Sequence, residues 1–290
     1  MVKLLPSDVQ TKEVLEWEGL HLFHADVSSC SQKTRIFLNL KGIDWQSHLV
    51  DLPGGQNHTP WYLGINPRGL VPVLVHNGDV HIESNDILLY LEETFPDPKL
   101  LPEDISAQGK ALLDLEDEMH MDLRTLTFRY VKPPSPGPMK NPEELAVLAA
   151  HKGTVAGQAD GQAEKEIAFW QAANENDGIT DAQVKASTEK FASAFKKIDQ
   201  ALADKAYILG ETLSVADIAW FIYANRVRLA GYPLSQHPQL YKWFNALLVQ
   251  PAFAKEIAMP PGAEEAIKRG HDEQTKHGKG LMQVASECFV

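Results

Sequence analysis

Short apolar runs and amphipathic segments follow one another over residues 19–96. Runs rich in β-branched residues predict strands, and apolar residues three or four positions apart predict helices. The pair Asn77-Gly78 between two apolar runs predicts a hairpin. The predicted strands cover residues 20–23, 45–50, 71–75 and 80–82, and the predicted helices cover residues 32–40 and 61–63 and a segment from Ser84 with Ile87, Leu88 and Leu91 on one face.

The order β-α-β-α-β-β-α predicts an α/β fold of the thioredoxin-like type for residues 19–96. A helix joins the first two strands, so these strands should be parallel. A proline-rich linker follows at residues 96–102, and the period beyond it is helical. We therefore predict a second, all-α domain over residues 104–258, with helices at residues 108–130, 181–202, 214–229 and 240–247 and a shorter helix after Pro251.

Three further segments lie outside this simple plan. The run from Lys132 to Pro138 contains four prolines and predicts a break in the helical domain, followed by a polar helical insertion at about residues 132–171 without strands. Residues 1–18 have no clear period and predict an N-terminal extension. Residues 259–290 are charged and weakly periodic, and they predict a flexible or surface-wrapping tail.

Composition narrows the class of protein. The formal net charge of −12 argues against general nucleic-acid binding, which needs clustered Lys and Arg. No apolar run approaches the ~20 residues of a membrane-spanning helix, and no secretory leader is evident, so we expect a cytoplasmic protein that does not enter membranes. Two cysteines, far apart, predict neither a disulfide framework nor a paired-cysteine metal site, and we expect no metal.

The polar run Ser28-Ser29-Cys30-Ser31-Gln32 separates the first predicted strand from the first predicted helix. It brings hydroxyls and one thiol to a helix start, where backbone N–H groups have no partner within the helix. A helix start favours negative charge. The run therefore predicts a site for a thiolate or another anion, although Ser28 could equally be only a helix cap.

Three motifs together resemble those of the cytosolic glutathione transferases over about residues 19–258. The run from Ser28 to Arg35 is similar to the signature of the zeta class and to the active-site run of bacterial tetrachlorohydroquinone dehalogenases. The segment Ile65 to Leu74, with Glu83-Ser84, resembles the glutathione-binding segment of bacterial lignin β-etherases. The third motif, Ser214-Val215-Ala216-Asp217, matches the capping box on a central helix of the second domain. The resemblance implies the glutathione transferase fold.

The resemblance also implies roles near the first helix. Ser28 would donate a hydrogen bond to the sulfur of glutathione and so favour the reactive thiolate. Ser29 would be a substitute for Ser28 or would shape the pocket. Cys30 matches a cysteine that exchanges with a mixed disulfide in dehalogenase-like relatives, or it is a buried structural thiol.

Further residues would bind glutathione if the resemblance holds. Val71, before a cis Pro72, would offer its backbone to the cysteinyl part of glutathione. Glu83 would pair with the γ-glutamyl ammonium, and Ser84 with the following helix start would take the γ-glutamyl carboxylate. For the glycyl carboxylate the candidates are Gln56, which family position favours, His58 and Arg68.

The second substrate would be a small hydrophobic or aromatic electrophile, bound near the first long helix. Candidate pocket residues are Phe128, Tyr130 and Trp220, with Arg124 and Arg129 as less favoured partners for an anionic group. Aromatic residues at helical spacing are more often core residues. Ser214 and Asp217 are expected to have a structural role only.

Several functions stay open at this point. The leading hypothesis is a glutathione transferase, a homodimer like its relatives, whose thiolate displaces an ether or halide group in β-ether cleavage or dehalogenation. The alternatives are a zeta-like maleylacetoacetate isomerase, a Cys30-dependent thiol transferase or reductive dehalogenase, and a non-catalytic binding protein. The zeta class would carry tryptophan where this chain has Gln32, and this difference argues against the isomerase hypothesis.

Overall fold

The chain divides into two structural units, which the computed structural model describes over residues 1–132 and 137–289. The first unit comprises Met1–Pro98 and Gly137–Asp177, and the second comprises Lys99–Pro136 and Gly178–Val290. The predicted proline-rich break falls partly on residues 133–136, which lie outside the described residues. By this division, segment 137–177 belongs with the first unit, whereas the sequence predicts an insertion of the helical domain there.

The strands of the described residues lie in the first unit. They are β1 (Val2–Lys3), β2 (Leu20–His24), β3 (Gln46–Leu49), β4 (Val73–His76), β5 (Asp79–Ile82), β6 (Thr154–Val155) and β7 (Gln158–Ala159). The first five form one mixed sheet in the order β1-β5-β4-β2-β3, and β6 and β7 form a separate hairpin.

The helices cover most of the remaining described chain. They are α1 (Ser29–Lys41), α2 (Pro60–Leu63), α3 (Ser84–Thr94), α4 (Ser106–Glu118), α5 (His120–Leu126), α6 (Pro142–Ala150), α7 (Gln162–Glu175), α8 (Asp181–Ala201), α9 (Val215–Leu229), α10 (Pro238–Leu248), α11 (Pro251–Ile257), α12 (Ala263–Lys276) and α13 (Leu281–Val284). The fold class is confirmed: a mixed sheet with helices comes first, and a helical unit follows.

Local sequence signals explain the sheet. Strand β2 is buried along its whole length and pairs in parallel with β3, as predicted for strands joined by a helix. Strands β4 and β5 pair antiparallel around Asn77 and Gly78, which have φ angles of 50° and 80°. These left-handed angles suit Asn and Gly and close a two-residue hairpin. Helix α1 ends at Gly42, where a φ of 64° lets glycine cap the helix.

The N-terminal residues contribute to the core of the first unit, which the sequence did not predict. Strand β1 pairs antiparallel with β5, with Val2 opposite Ile82. Leu4, Val9 and Val14 are buried in the same apolar cluster as the sheet residues. A strand of two residues cannot show an alternating pattern, so its period was invisible in the sequence.

The segment 137–177 differs from the prediction in its structure as well. It contains helices α6 and α7, as a helical insertion would, but the hairpin of β6 and β7 lies between them. Ala156 and Gly157 form its turn with φ angles of 54° and 74°, and Val155 packs against the core of the first unit. The expectation of no strands is therefore wrong. Each strand is only two residues long, which is too short to show an alternating pattern in the sequence.

The second unit is built around helix α9, which is buried from Val215 to Val227. The long predicted helix at residues 108–130 is interrupted: α4 ends at Glu118, α5 follows, and a π-helical turn covers Thr127–Val131. The C-terminal tail is largely helical, and the Gln274 side chain of α12 donates to the Arg129 carbonyl at 2.9 Å. No helix of the described chain is long and apolar enough to cross a membrane.

Candidate functional site

The polar segments predicted to bind a ligand leave the sheet of the first unit at one end. Phe23 near the end of β2 lies opposite Val73 at the start of β4, and Val73 lies opposite Ile82 at the end of β5. His24 lies opposite Leu49 at the end of β3. Four parts of the chain therefore leave the sheet at the same end: the chain before α1, the segment before β4, the Glu83 position and the loop after β3.

Ser28 is the N-cap residue of α1. Its hydroxyl oxygen accepts the Ser31 N–H at 3.3 Å, and the side chain is half-buried. The Arg35 guanidinium donates to the carbonyls of Ala25 and Asp26 at 3.2 and 3.0 Å and thereby holds the loop that precedes Ser28. A serine hydroxyl can accept one hydrogen bond and still donate its proton. The capping role therefore leaves Ser28 able to donate to an anion.

Ser29 and Cys30 occupy the first turn of α1 and are both half-buried. Neither Cys30 nor Cys288 forms a disulfide. Within residues 1–132 and 137–289 no group of three or more His, Cys, Asp or Glu is placed to hold a metal ion. The helix start thus presents two hydroxyls and one thiol as its chemical groups.

The peptide bond between Val71 and Pro72 is cis, as the resemblance implies. Pro72 is buried and Val71 is half-buried, and strand β4 begins only at Val73. The carbonyl of Leu70 accepts hydrogen bonds from Tyr62 Oη and Asn66 Nδ2, both at 2.8 Å. These contacts fix the backbone that enters Val71, which lies outside the ladder of the sheet.

Glu83 and Ser84 mark the start of α3. Glu83 is the N-cap residue with a φ of 66°, a left-handed angle that is unusual for a residue other than glycine. Such backbone strain concentrates at binding sites. Ser84 is buried as the first residue of α3, and the backbone N–H groups of this first turn have no partner within the helix.

An arginine with two carboxylate partners lies at the same place. Arg68 Nη1 donates to Glu83 Oε1 at 2.5 Å, while Nε and Nη2 donate to the two oxygens of Asp160 at 2.6 and 2.9 Å. Burial would lower the pKa of Arg68, but hydrogen bonds and charges from Asp160 and Glu83 outweigh it and raise the pKa. Arg68 is therefore firmly cationic, and each of its three nitrogens donates to a carboxylate oxygen.

The three candidates for the glycyl carboxylate differ in what their side chains already bind. His58 is buried, and its Nδ1 lies 3.0 Å from Glu144 Oε2. Its pKa is lowered by burial and by Lys140, against the opposing effect of Glu144. Gln56 is exposed and uses only its oxygen, which accepts the Asp51 N–H at 2.8 Å. Gln56 is the exposed one of the three side chains, and its amide N–H groups have no partner among the described contacts.

The candidates for the second-substrate pocket lie in the second unit, and two of them already have hydrogen-bond partners within it. Trp220 is fully buried, and its indole N–H donates to the Leu112 carbonyl at 3.1 Å. Arg129 donates to the Ile179 carbonyl at 2.7 Å and to Asp181 at 2.9 Å. Arg124 Nη2 lies 3.4 Å from His120 Nε2, and the Phe128 ring lies 5.1 Å from Lys132 Nζ.

Tyr130 lines a cavity of the second unit. The cavity has a volume of about 220 Å³, and α12 contributes His271 and Gln274 to its wall. Burial raises the pKa of the Tyr130 phenol to about 12, so the phenol is protonated. The Tyr130 hydroxyl donates to the Lys279 carbonyl at 3.1 Å, which ties this residue to the C-terminal tail.

Asp160 is the site residue that sequence reasoning missed. It lies in segment 137–177, 92 positions from Arg68, and no local motif surrounds it. Its contact with Arg68 depends on the packing of that segment against the sheet, which no sequence period reports.

Two family models match the chain in order. Residues 27–94 match the glutathione S-transferase N-terminal domain, and residues 181–246 match the glutathione S-transferase C-terminal domain. Glutathione is the co-substrate of this family. The first match lies within the first structural unit, and the second within the second.

Individual relatives agree with these matches. A zeta-class glutathione S-transferase of Euphorbia esula is 49% identical over 86 residues, and a maleylacetoacetate isomerase of Pseudomonas aeruginosa is 48% identical over 80 residues. These alignments cover 30% and 27% of this chain, and the chain spans only 38% of the length of either relative.

One relative is similar over nearly its whole length. The protein LigF of Sphingobium sp. is 25% identical over 275 residues, which are 88% of this chain and 98% of LigF. The crystal structure of the β-etherase LigF from this genus superposes with a TM-score of 0.67 over 82% of this chain and 98% of LigF, at 22% identity. With both matches in order, each on its own unit, the chain carries the N-terminal and C-terminal domains of the glutathione S-transferase family.

Proposed function

We propose that the protein is a glutathione transferase whose Ser28 hydroxyl stabilises the thiolate of bound glutathione. The observation that carries this proposal is the convergence at one end of the sheet of the Ser28 helix start, the cis Val71-Pro72 bond and the Glu83-Ser84 helix start. A protein that only kept the fold for binding another protein would not need this complete set. The non-catalytic alternative is therefore the weaker one.

Each part of glutathione has a matching group. The backbone of Val71, outside the sheet ladder, can pair with the cysteinyl part as an added strand would. Glu83 suits the γ-glutamyl ammonium, and Ser84 with the N–H groups of α3 suits the γ-glutamyl carboxylate. Gln56 is the preferred donor to the glycyl carboxylate, because Arg68 and His58 are committed to other partners.

The chemistry at Ser28 is the stabilisation of a negative charge on sulfur. A free thiol has a pKa near ~8.5, and only the thiolate attacks. A hydroxyl donor and the start of α1 together can lower that pKa by roughly 1–3 units. The thiol proton passes to solvent, the sulfur forms a bond to the electrophilic carbon, and the bond from that carbon to oxygen or halogen breaks. The leaving group departs as a phenolate, alkoxide or halide.

For the electrophile we propose an aromatic ether, cleaved as a β-aryl ether. Likeness to LigF over most of both chains supports this reaction, whereas the zeta-class relatives match only a short part. Dehalogenation-type substitution would use the same thiolate. Zeta-like isomerisation of maleylacetoacetate is the second candidate, favoured by the local match to the Pseudomonas isomerase. We expect a cytoplasmic homodimer.

Ser28→Gly and Ser28→Thr test the central assignment as a pair. Glycine is a good N-cap, so its stability cost should be only a few tenths of a kcal/mol, but it has no hydroxyl. We expect Ser28→Gly to lower kcat/KM with aryl ethers about 100-fold and to raise the pKa of bound glutathione by roughly 1–2 units. Ser28→Thr should keep much of both. The thiolate pKa is measured by ultraviolet absorbance of the complex.

The same assay separates the rival functions. Aryl ethers, halogenated phenols and maleylacetoacetate are tested in parallel, and Cys30→Ala is added as the thiol control. Activity that survives Ser28→Gly unchanged would overturn the role of Ser28. Activity that disappears only in Cys30→Ala would instead identify thiol exchange, and an absence of turnover with all substrates would favour the binding protein.

A further inference from the structure

The guanidinium of Arg68 is divided between two carboxylates in an unequal way. Asp160 takes the edge formed by Nε and Nη2 with both of its oxygens, at 2.6 and 2.9 Å. Only Nη1 is left for Glu83, and it reaches Oε1 at 2.5 Å. Among the described residues, Glu83 Oε2 has no hydrogen-bond partner. If Asp160 did not occupy the fork, Arg68 could bind both oxygens of Glu83, because a guanidinium prefers bidentate pairing.

The charges of Arg68, Glu83 and Asp160 also favour a cation beside Glu83. Arg68 and Glu83 alone would form a neutral pair with little attraction for a cation. Asp160 adds a second negative charge, so the three side chains together carry a net charge of −1. All three are partly buried, with side-chain exposures of 14% for Arg68, 31% for Glu83 and 22% for Asp160. Charges interact more strongly in such a setting than at an open surface.

We propose that Asp160 is a positioning residue for the γ-glutamyl group of glutathione, holding Arg68 so that Glu83 keeps one oxygen and a net negative charge for the ammonium. This inference rests on the proposed function. It gives segment 137–177 a part in thiol selection, since thiols that carry a free γ-glutamyl amine would be preferred over those that do not.

Asp160 is not needed merely to hold its segment in place. Thr154 Oγ1 donates to Asp8 Oδ1 at 2.5 Å, and the Gly157 N–H donates to the same oxygen at 3.0 Å. Glu144 binds His58 at 3.0 Å. Gly153 lies against Pro67 so closely that a Cβ would overlap the proline ring. The segment is thus attached at several points, and the bond from Asp160 to Arg68 can be weakened with the others intact.

The test compares two ligands on four proteins by isothermal titration calorimetry. The ligands are glutathione and glutathione acetylated on its γ-glutamyl nitrogen, which cannot present an ammonium. The proteins are the unaltered chain, Asp160→Asn, Asp160→Glu and Thr154→Val, the last loosening the same segment at a different anchor. We expect Asp160→Asn to weaken glutathione about tenfold and to leave the acetylated ligand nearly unchanged. Asp160→Glu should restore part of the loss.

Turnover provides a second measurement. Asp160→Asn should raise KM for glutathione by a similar factor and leave kcat at saturating glutathione close to that of the unaltered protein. Equal weakening of both ligands, an unchanged Kd in Asp160→Asn, or an equal loss in Thr154→Val would each overturn the role of Asp160 and leave the proposed function standing. Failure of the unaltered protein to bind glutathione would overturn both.

Discussion

Glu83 in the first unit and Asp217 in the second are both carboxylates at helix starts, but their surroundings are opposite. Asp217 is fully buried and accepts four hydrogen bonds: from the N–H groups of Ile208 and Ser214, the Ser214 hydroxyl and the Trp243 indole, at 2.7–2.9 Å. Glu83 is 31% exposed in its side chain and accepts one, from Arg68. A carboxylate filled by its own chain stabilises the fold, whereas one left half open is suited to a ligand.

The largest effect should come from Asp217→Ala. Burial raises the pKa of the Asp217 carboxyl, and the hydrogen bonds that it accepts oppose this rise. Its removal leaves four buried donors without a partner, which costs about 3–5 kcal/mol of the free energy of unfolding. This exceeds the 0.5–2 kcal/mol typical of a helix cap. Urea denaturation followed by circular dichroism measures the change, and Ser214→Ala should lose only about 1–2 kcal/mol.

Glu83→Gln is the matched substitution in the first unit. It keeps the shape and one acceptor oxygen, so we expect the free energy of unfolding to change by less than about 1 kcal/mol. A destabilisation as large as that of Asp217→Ala would contradict the distinction between the two carboxylates. Asp217→Ala with a normal urea midpoint would contradict it from the other side.

Local sequence signals predicted the elements that carry the candidate site of the first unit better than they predicted its surroundings, and the binding roles of the site residues stay predictions from the resemblance. The positions of Ser28, Val71-Pro72 and Glu83-Ser84 follow from local signals: apolar runs, the Asn-Gly turn and the glycine that ends α1. These act over a few residues, so they are visible without a structure. The capping box of Ser214 and Asp217 is local in the same sense, and the structure contains it.

Contacts over long distances along the chain were not predictable. Asp160 meets Arg68 across 92 positions, and β1 meets β5 across about 80. The bonds from Ile208 and Trp243 to Asp217 join three separate segments. The apolar spacing of residues 108–130 continues through Met119, so the break between α4 and α5 leaves no mark in the period. Such features depend on packing that single-sequence periods do not encode.

His81 extends the comparison to a group that is buried and incompletely paired. Its Nε2 has no hydrogen-bond partner among the described residues, and its ring stacks on Tyr90 with centroids 3.7 Å apart. Burial lowers the pKa of His81 to about 4. The unfolded chain takes up a proton below about pH 6.5, whereas the folded chain does so only near pH 4. The free energy of unfolding therefore loses nothing through His81 above pH 6.5, and it falls as the pH decreases toward 4.

The loss at His81 should reach up to about 3 kcal/mol at pH 4 and then level off. Other histidines with lowered pKa values, such as His58 and His237, add to the slope of the unaltered protein. The difference between that protein and His81→Phe isolates the residue. We expect the curve of free energy against pH to be flatter for the variant between pH 6.5 and 4. Parallel curves would mean that His81 is accessible to protons in the folded state.

A small effect should also come from Asp181, although it has more cationic partners than Glu83. Arg129 Nη2 lies 2.9 Å from Oδ1 and Lys279 Nζ lies 2.5 Å from Oδ2, but the side chain is 42% exposed. Water screens such pairs, so Asp181→Asn should cost about 0.5–1 kcal/mol, including the loss of a negative charge at the start of α8.

Salt dependence distinguishes Asp181 from the buried carboxylate. The cost of Asp181→Asn should shrink in 1 M salt, where the screening length falls to about 3 Å, whereas the cost of Asp217→Ala should persist because its hydrogen bonds are shielded from solvent ions. Urea midpoints at low and high salt measure both. A loss above about 2 kcal/mol at Asp181 that does not depend on salt would contradict this view. It would mean that the number of ionic partners decides which carboxylates stabilise this fold, and that burial with a full set of hydrogen bonds does not.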